Sequence, residues 1–189
     1  MQMQRVFAPI SVSSTIRLMG SRGDWINGII EEDTVQNKLN DEVYAFRGKL
    51  PVRQCDVFVT PAGDDSSELK KHNIRFIYHV AVVKASLKGE EKLEGVDGER
   101  VVQICVRNCL EKVKTHNTTN PTTPIKRIVF PLLGAGNAGL KVDVSAKQVV
   151  EGIKWWLERN VDPNLEGIHI NAFRVCDVKT VLAVMNGSR

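Results

Sequence analysis

An α/β domain with a largely parallel sheet, mixed in part, is the fold that this sequence predicts, on two kinds of pattern. Four apolar runs rich in β-branched residues, Arg5–Val12, Asp56–Ala62, Ile74–Val83 and Ile125–Leu133, read as strands buried on both faces. Apolar residues recur between and after them every three or four positions, the period of a helix that lays one side on a sheet. The strands at 56–62 and 74–83 follow one another with no helical pattern between them, which mixes part of the sheet.

Taken in order, the first strand leads to a helix expected from Trp25 to Phe46, through Ile26, Ile29, Ile30, Leu39 and Val43. Val102, Cys105, Cys109 and Val113 mark a second helix, and Val149, Ile153, Trp156 and Leu157 a third. A short, partly alternating strand spans Gly167–Phe173, and a last helix spans Val178–Met185 with Asp177 as its N-cap. Leu87–Glu99 and His116–Pro124 are polar, rich in Gly or in Thr, Asn and Pro, and read as surface loops.

The 189 residues suit one domain, 1–189, able to build a core without disulfides or metal. No apolar run approaches the ~18–20 residues of a membrane helix, so no membrane partner is expected. Cys105 and Cys109 lie one helical turn apart in an apolar stripe, as buried free thiols do, and no metal site or cofactor is expected. Reduced thiols place the chain in an intracellular compartment, cytoplasmic or nuclear. The net charge of +4 arises from Lys and Arg interleaved with Asp and Glu, which speaks against a nucleic-acid partner but helps an anionic ligand approach.

Open α/β sheets place ligands at the carboxyl ends of their strands, and two loops at such ends have unusual chemistry. The strand Lys126–Leu133 runs into Gly134-Ala-Gly-Asn-Ala-Gly139. The letters fit a dinucleotide fingerprint, but the position does not. A helix starts only where Asp143 or Ser145 can cap it, and one strand is left downstream. What survives is a small-residue loop whose backbone N–H groups can converge on an anion, each hydrogen bond to a charged oxygen contributing ~1.5–3 kcal/mol. The competing reading is a tight turn over the sheet. The second loop, Ser11–Thr15 and then Met19–Gly28, is small and polar enough to wrap a ligand and present a helix N-terminus to phosphate, or to be an ordinary capped connection.

Both loops, in this order, resemble those of the macrodomain family of ADP-ribose-binding modules. Ile128-Val-Phe-Pro-Leu-Leu-Gly-Ala-Gly-Asn-Ala-Gly139 is similar to the family's phosphate loop, a strand ending in Pro followed by a turn of the type S-T-G-hydrophobic-aromatic-G. Asp56-Val-Phe-Val-Thr-Pro-Ala-Gly63 and Ile74-Arg-Phe-Ile-Tyr-His-Val80 resemble its paired V-x-T-x-G and Y-V-I-H-x-V segments. Val101–Val113, with Arg107-Asn-Cys-Leu110, resembles the helix before the phosphate-loop strand, and Ile168–Phe173 the terminal strand. The likeness covers residues 5–185 and implies a three-layer α/β/α sandwich with a mixed central sheet. It implies a ligand crevice over the strand ends, with the diphosphate between residues 134–139 and 23–28 and adenine stacked toward Phe173. The implied ligand-lining residues are Ser13, Gly23, Ile26, Gly28, Leu133, Gly134, Ala135, Gly136, Asn137, Ala138, Gly139 and Phe173.

The departures bear on chemistry. The family's N-A-A-N motif stands here as Ile10-Ser-Val-Ser13, so Ser13 replaces the asparagine that contacts the distal ribose. Asn27 stands where some hydrolases hold an aspartate, and an amide takes up no proton near neutral pH, leaving Asp24 as the nearest carboxylate. Asn137-Ala138 replaces the pair that covers the distal ribose, and the chain starts after the place where an adenine-reading aspartate is expected, as if its N-terminal margin were cut back. Three functions stay open: binding of ADP-ribose or ADP-ribosylated protein, hydrolysis of ADP-ribosyl adducts with Asn27 and Asp24 as candidates, and a degenerate module for protein or RNA. His79, in an apolar strand, reads as a core histidine, and Phe173 equally as a base-stacking platform or a core aromatic. Of Trp155 and Trp156, one belongs to the core and the other caps a neighbouring surface.

Overall fold

A computed structural model describes residues 22–24, 29–32, 34–48, 52–63, 67–83, 85–86, 89–90, 92–136 and 138–187, of which the strands at 22–24, 29–32, 85–86 and 89–90 are described by backbone alone. The chain divides into two compact units, Met1–Ala81 and Val82–Arg189. The expected strand at 5–12 and the loop at 11–21 lie outside the described residues.

In the first unit, β1 (Arg22–Asp24) pairs antiparallel with β2 (Ile29–Glu32), followed by α1 (Thr34–Arg47). The helix expected from residue 25 therefore starts at Thr34. Ile29 and Ile30 satisfy a helical period, but β-branched residues equally suit a strand, and β1 supplies the ladder partner that decides between them. From α1, Val35, Leu39 and Val43 project at one-turn intervals into a cluster with Phe58, Ala62, Leu69 and Ile77. The last four come from β3 (Val57–Pro61), the residue after it, the one-turn helix α2 (Glu68–Lys71) and β4 (Phe76–Val80). β3 and β4 pair antiparallel from Val57 opposite Val80 to Pro61 opposite Phe76, as their adjacency in sequence leads one to expect.

The second unit holds a two-residue ladder, β5 (Ala85–Ser86) with β6 (Gly89–Glu90), then α3 (Gly95–Thr119), β7 (Arg127–Pro131), α4 (Val142–Leu157), β8 (Gly167–Asn171) and α5 (Val175–Met185). β7 and β8 are parallel, with α4 as their crossover. Pairing among the described residues is thus mixed: β7–β8 is parallel and the other three pairs are antiparallel. α3 buries Val102, Cys105, Val106, Cys109, Leu110 and Val113, and both cysteines are free thiols as expected. α4 crosses closely enough that a Cβ on Gly152 would sit 3.0 Å from Val106 Cβ and 3.1 Å from the Gln103 carbonyl.

Four boundaries differ from the sequence reading, each for a tertiary reason. α3 extends into both polar segments. At its far end Asn117 donates to the Ile125 carbonyl (3.0 Å), accepts from the Ile125 N–H and donates to Asp162 (2.8 Å), so helix continues to where β7 must be anchored. α4 begins at Val142, and Leu157 is left exposed at its end while Trp156 fills the core. α5 begins at Val175, with Arg174 rather than Asp177 at the N-cap; Asp177 sits inside the first turn, gripped by Arg174 Nε and one Nη, both at 3.0 Å. β8 stops at Asn171, so Phe173 lies beyond the strand. No helix among the described residues is long and apolar enough to cross a membrane.

Candidate functional site

The parallel register sets Pro131 opposite Asn171, so the chain leaves β7 and β8 at one edge of the sheet. Residues 132–136 and 138–140 follow there from β7, and Ala172 and Phe173 from β8. This is the carboxyl edge at which α/β proteins hold ligands.

Hydrogen bonds give the loop after β7 a polarity. Ala135 N–H donates to Leu132 O (3.2 Å), Gly139 N–H to Gly136 O (3.0 Å) and Leu140 N–H to Gly134 O (2.9 Å), closing successive turns. The Ser145 hydroxyl donates to Leu133 O at 2.7 Å, and Leu93 N–H to Ala138 O at 2.8 Å. Five carbonyls are thereby tied into the protein. Among the described residues no acceptor meets the N–H groups of Gly134, Gly136 and Ala138. Three unmet donors beside five engaged acceptors make the outer face of the loop locally electropositive without a formal charge.

Glycine is required at two of these positions. Gly134 and Gly139 hold φ of +81° and +90°, where side chains are strained. A Cβ on Gly134 would also stand 2.9 Å from Leu140 Cδ1 and 3.0 Å from Leu93 Cδ1. Gly136 differs: a Cβ there meets nothing within 4 Å. The outer turn of the loop is open.

Two contributors were not legible in the sequence. Leu93 supports the loop by its N–H and by its side chain behind Gly134. The stem of Lys92 runs along Gly139, where a Cβ would lie 3.4 Å from Lys92 Cδ, bringing a cation to the loop. Both lie in a stretch that reads as mixed-charge surface, with no pattern to single them out. Ser145, expected as a possible helix cap, instead anchors the loop.

Of the residues singled out by sequence, Leu133, Gly134, Ala135, Gly136, Ala138 and Gly139 thus share one loop, and Phe173 emerges from the same edge. Phe173 is 99% exposed, which overturns its reading as a core aromatic: it follows the end of β8 rather than lying within it. Gly23 and Asp24 belong to the first unit, paired in β1 with Ile30 and Ile29. Asp24 is therefore part of a strand ladder, not of a helix cap. Ser13, Ile26, Asn27, Gly28 and Asn137 lie outside the described residues.

The remaining candidates resolve structurally. His79 is buried and hydrogen-bonded to Thr60 (2.8 Å), and burial lowers its pKa from the usual 6.5 to about 4, so it is neutral at pH 7. Burial pushes the Cys109 thiol up to about 12, which removes the thiolate needed of a nucleophile or metal ligand. Trp156 is core, its Nε1–H donating to Glu111 at 2.7 Å, while Trp155 lies at the surface under the guanidinium groups of Arg107 and Arg159.

Residues 19–149 match the family model for the Macro domain. Among solved structures, the Oceanobacillus iheyensis macrodomain with ADP is similar, with 17% identity and a TM-score of 0.62 over 90% of this chain and 78% of that one. The same macrodomain with MES bound gives 17% identity and a TM-score of 0.63, over 90% of this chain and 79% of that one. A mutant of it with ADPR gives 18% and 0.61, over 96% and 79%. At such identities the likeness is one of fold. No curated protein matches.

Proposed function

Because the chain belongs to the Macro domain family, we propose that it binds ADP-ribose or a related nucleotide diphosphate, free or attached to protein, through the backbone amides of residues 134–139. One observation carries this reading: the loop at the carboxyl edge of β7 has five of its carbonyls engaged, while among the described residues the amides of Gly134, Gly136 and Ala138 are left over. A diphosphate supplies the acceptors that these donors need, and Lys92 adds a positive charge alongside. Phe173, exposed at the same edge, offers a face to adenine worth ~1–3 kcal/mol. The related macrodomain structures with ADP and with ADPR agree with this ligand class. Hydrolysis, the alternative, would turn on Asn27 and Asp24. The glycine loop supports binding, in a chain of residues 1–189 that forms one macrodomain-like domain.

Calorimetric titration of the chain with ADP-ribose tests it. Saturable binding is expected, and silence at millimolar ligand refutes the proposal. Gly136→Glu, which places a carboxylate in the open turn without a steric clash, should abolish binding while leaving the unfolding midpoint in place. Phe173→Ala should weaken it by roughly five- to a hundredfold, the worth of one base–aromatic stack.

A further inference from the structure

The far end of α4 carries a second concentration of positive charge that the proposed function does not use. Arg107 of α3 and Arg159, just past α4, both lie over the Trp155 indole, with guanidinium carbons 4.0 Å and 4.5 Å from the ring centroid. Arg107 donates one Nη–H to Gln103 Oε1 at 2.8 Å, and its Nε is buried with no acceptor among the described residues. Arg159 donates to the Trp155 carbonyl (3.1 Å) and to Glu158 (2.9 Å). Arg100 lies two helical turns before Arg107 on α3, and no ion pair reaches either of them among the described residues. Burial lowers the pKa of Arg107, and the like charges of Arg159 and Arg100 lower it further. Two guanidinium groups thus share one neutral ring, and one carboxylate, Glu158, bonds one of them.

One stacked arginine is enough to shield an exposed indole. Two on the same ring repel one another unless an anion joins them. The groups are guanidinium forks, which pair bidentately with tetrahedral oxyanions, rather than the point charges of lysines. The buried Nε lacks an acceptor that such a ligand can provide. We propose that Arg107 and Arg159, seated on Trp155, form a second oxyanion site that takes the phosphoryl group of a small soluble phosphate. It is distinct from the glycine loop, which joins the opposite end of α4, about 20 Å away along a helix that rises 1.5 Å per residue.

Inorganic pyrophosphate is the probe, titrated into the full chain carrying Gly136→Glu, so that the glycine loop does not contribute and failure of the ADP-ribose reading leaves the result unaffected. Binding is followed by calorimetry and by the side-chain Nε–H NMR signals of Arg107 and Trp155. Saturable binding that shifts both signals is expected. Arg107→Gln and Arg159→Gln should each weaken it by about tenfold, the loss of one charge-assisted fork. Glu158→Gln should tighten it about twofold by removing the competing carboxylate. Arg159→Gln alters only the turn after α4 and keeps the test valid if Arg107→Gln fails to fold. No saturation at millimolar pyrophosphate, equal affinity for sulfate, or affinity unchanged in Arg159→Gln overturns the proposal.

Discussion

The strand pairs β3–β4 and β7–β8 have the same length and place their polar groups differently. In β3–β4, antiparallel, Thr60 and His79 share the buried face with Phe58 and Ile77 and satisfy each other at 2.8 Å. In β7–β8, parallel, the buried side chains of β7 are Ile128 and Phe130, and the notable polar groups are backbone amides just beyond Pro131. An antiparallel pair sends successive strand ends to opposite edges. A parallel pair sends both carboxyl ends to one edge, where loops can cooperate on a ligand. Internal polarity serves the first pair as structure; edge polarity gives the second its candidate site.

Three predictions probe that contrast. The largest effect is expected at the entry to β7, where Asn117 satisfies both backbone groups of Ile125. Asn117→Ala leaves two buried groups unpaired and should cost about 4 kcal/mol of unfolding free energy. A loss below about 1 kcal/mol in urea titrations would show that β7 does not depend on this anchor.

The second concerns β3–β4. Burial holds the His79 pKa at about 4 in the folded state against 6.5 in the unfolded chain. The unfolded chain therefore binds the extra proton between these values. Stability is full above pH 6.5 and falls as pH drops toward 4, by about 3 kcal/mol in all from this group. His79→Gln, which can still bond Thr60 but cannot titrate, should flatten the dependence. Identical pH profiles for the two proteins would show that the Thr60–His79 pair is not the buried element described.

The smallest effects separate two glycines of one loop. Gly134→Ala meets a φ of +81° and close contacts with the flexible ends of Leu140 and Leu93, and should destabilise by about 2 kcal/mol. Gly136→Ala meets open space and should change stability by less than about 0.5 kcal/mol. Equal values for the two would mean that the loop lacks the tied inner turn and open outer turn assigned to it.

What could be read from the chain follows the range of the forces involved. The stripe Val102, Cys105, Cys109 and Val113 was legible because it writes its burial into a local period, and the strands around Val57–Pro61, Phe76–Val80 and Arg127–Pro131 because they are runs rich in β-branched residues. Burial on both faces, expected of those runs, fails in β7, where Arg127, Val129 and Pro131 are exposed. Ile29 and Ile30 misled because their spacing fits two periods and only pairing with β1 selects one. The glycine loop stood out by composition, but Leu93 and Lys92, which hold and charge it, lie in a segment whose local pattern does not mark them, and Ser145 was marked only as a helix cap. Phe173 could not be assigned because core and exposed aromatics at a strand end look alike until the strand's last ladder bond is known.

By itself, then, the sequence determined the α/β class, the helix periods, the β-branched apolar runs of the strands, and the loop of small residues at 134–139. These depend on side-chain periodicity and glycine's freedom, both local properties. Tertiary structure alone decided which loop carbonyls are occupied, how Asn117 in the last turn of α3 anchors a strand, and how Arg107 and Arg159 meet over Trp155. Those outcomes join residues far apart in the chain, and a hydrogen bond or ring contact exists only once packing has brought its two halves together.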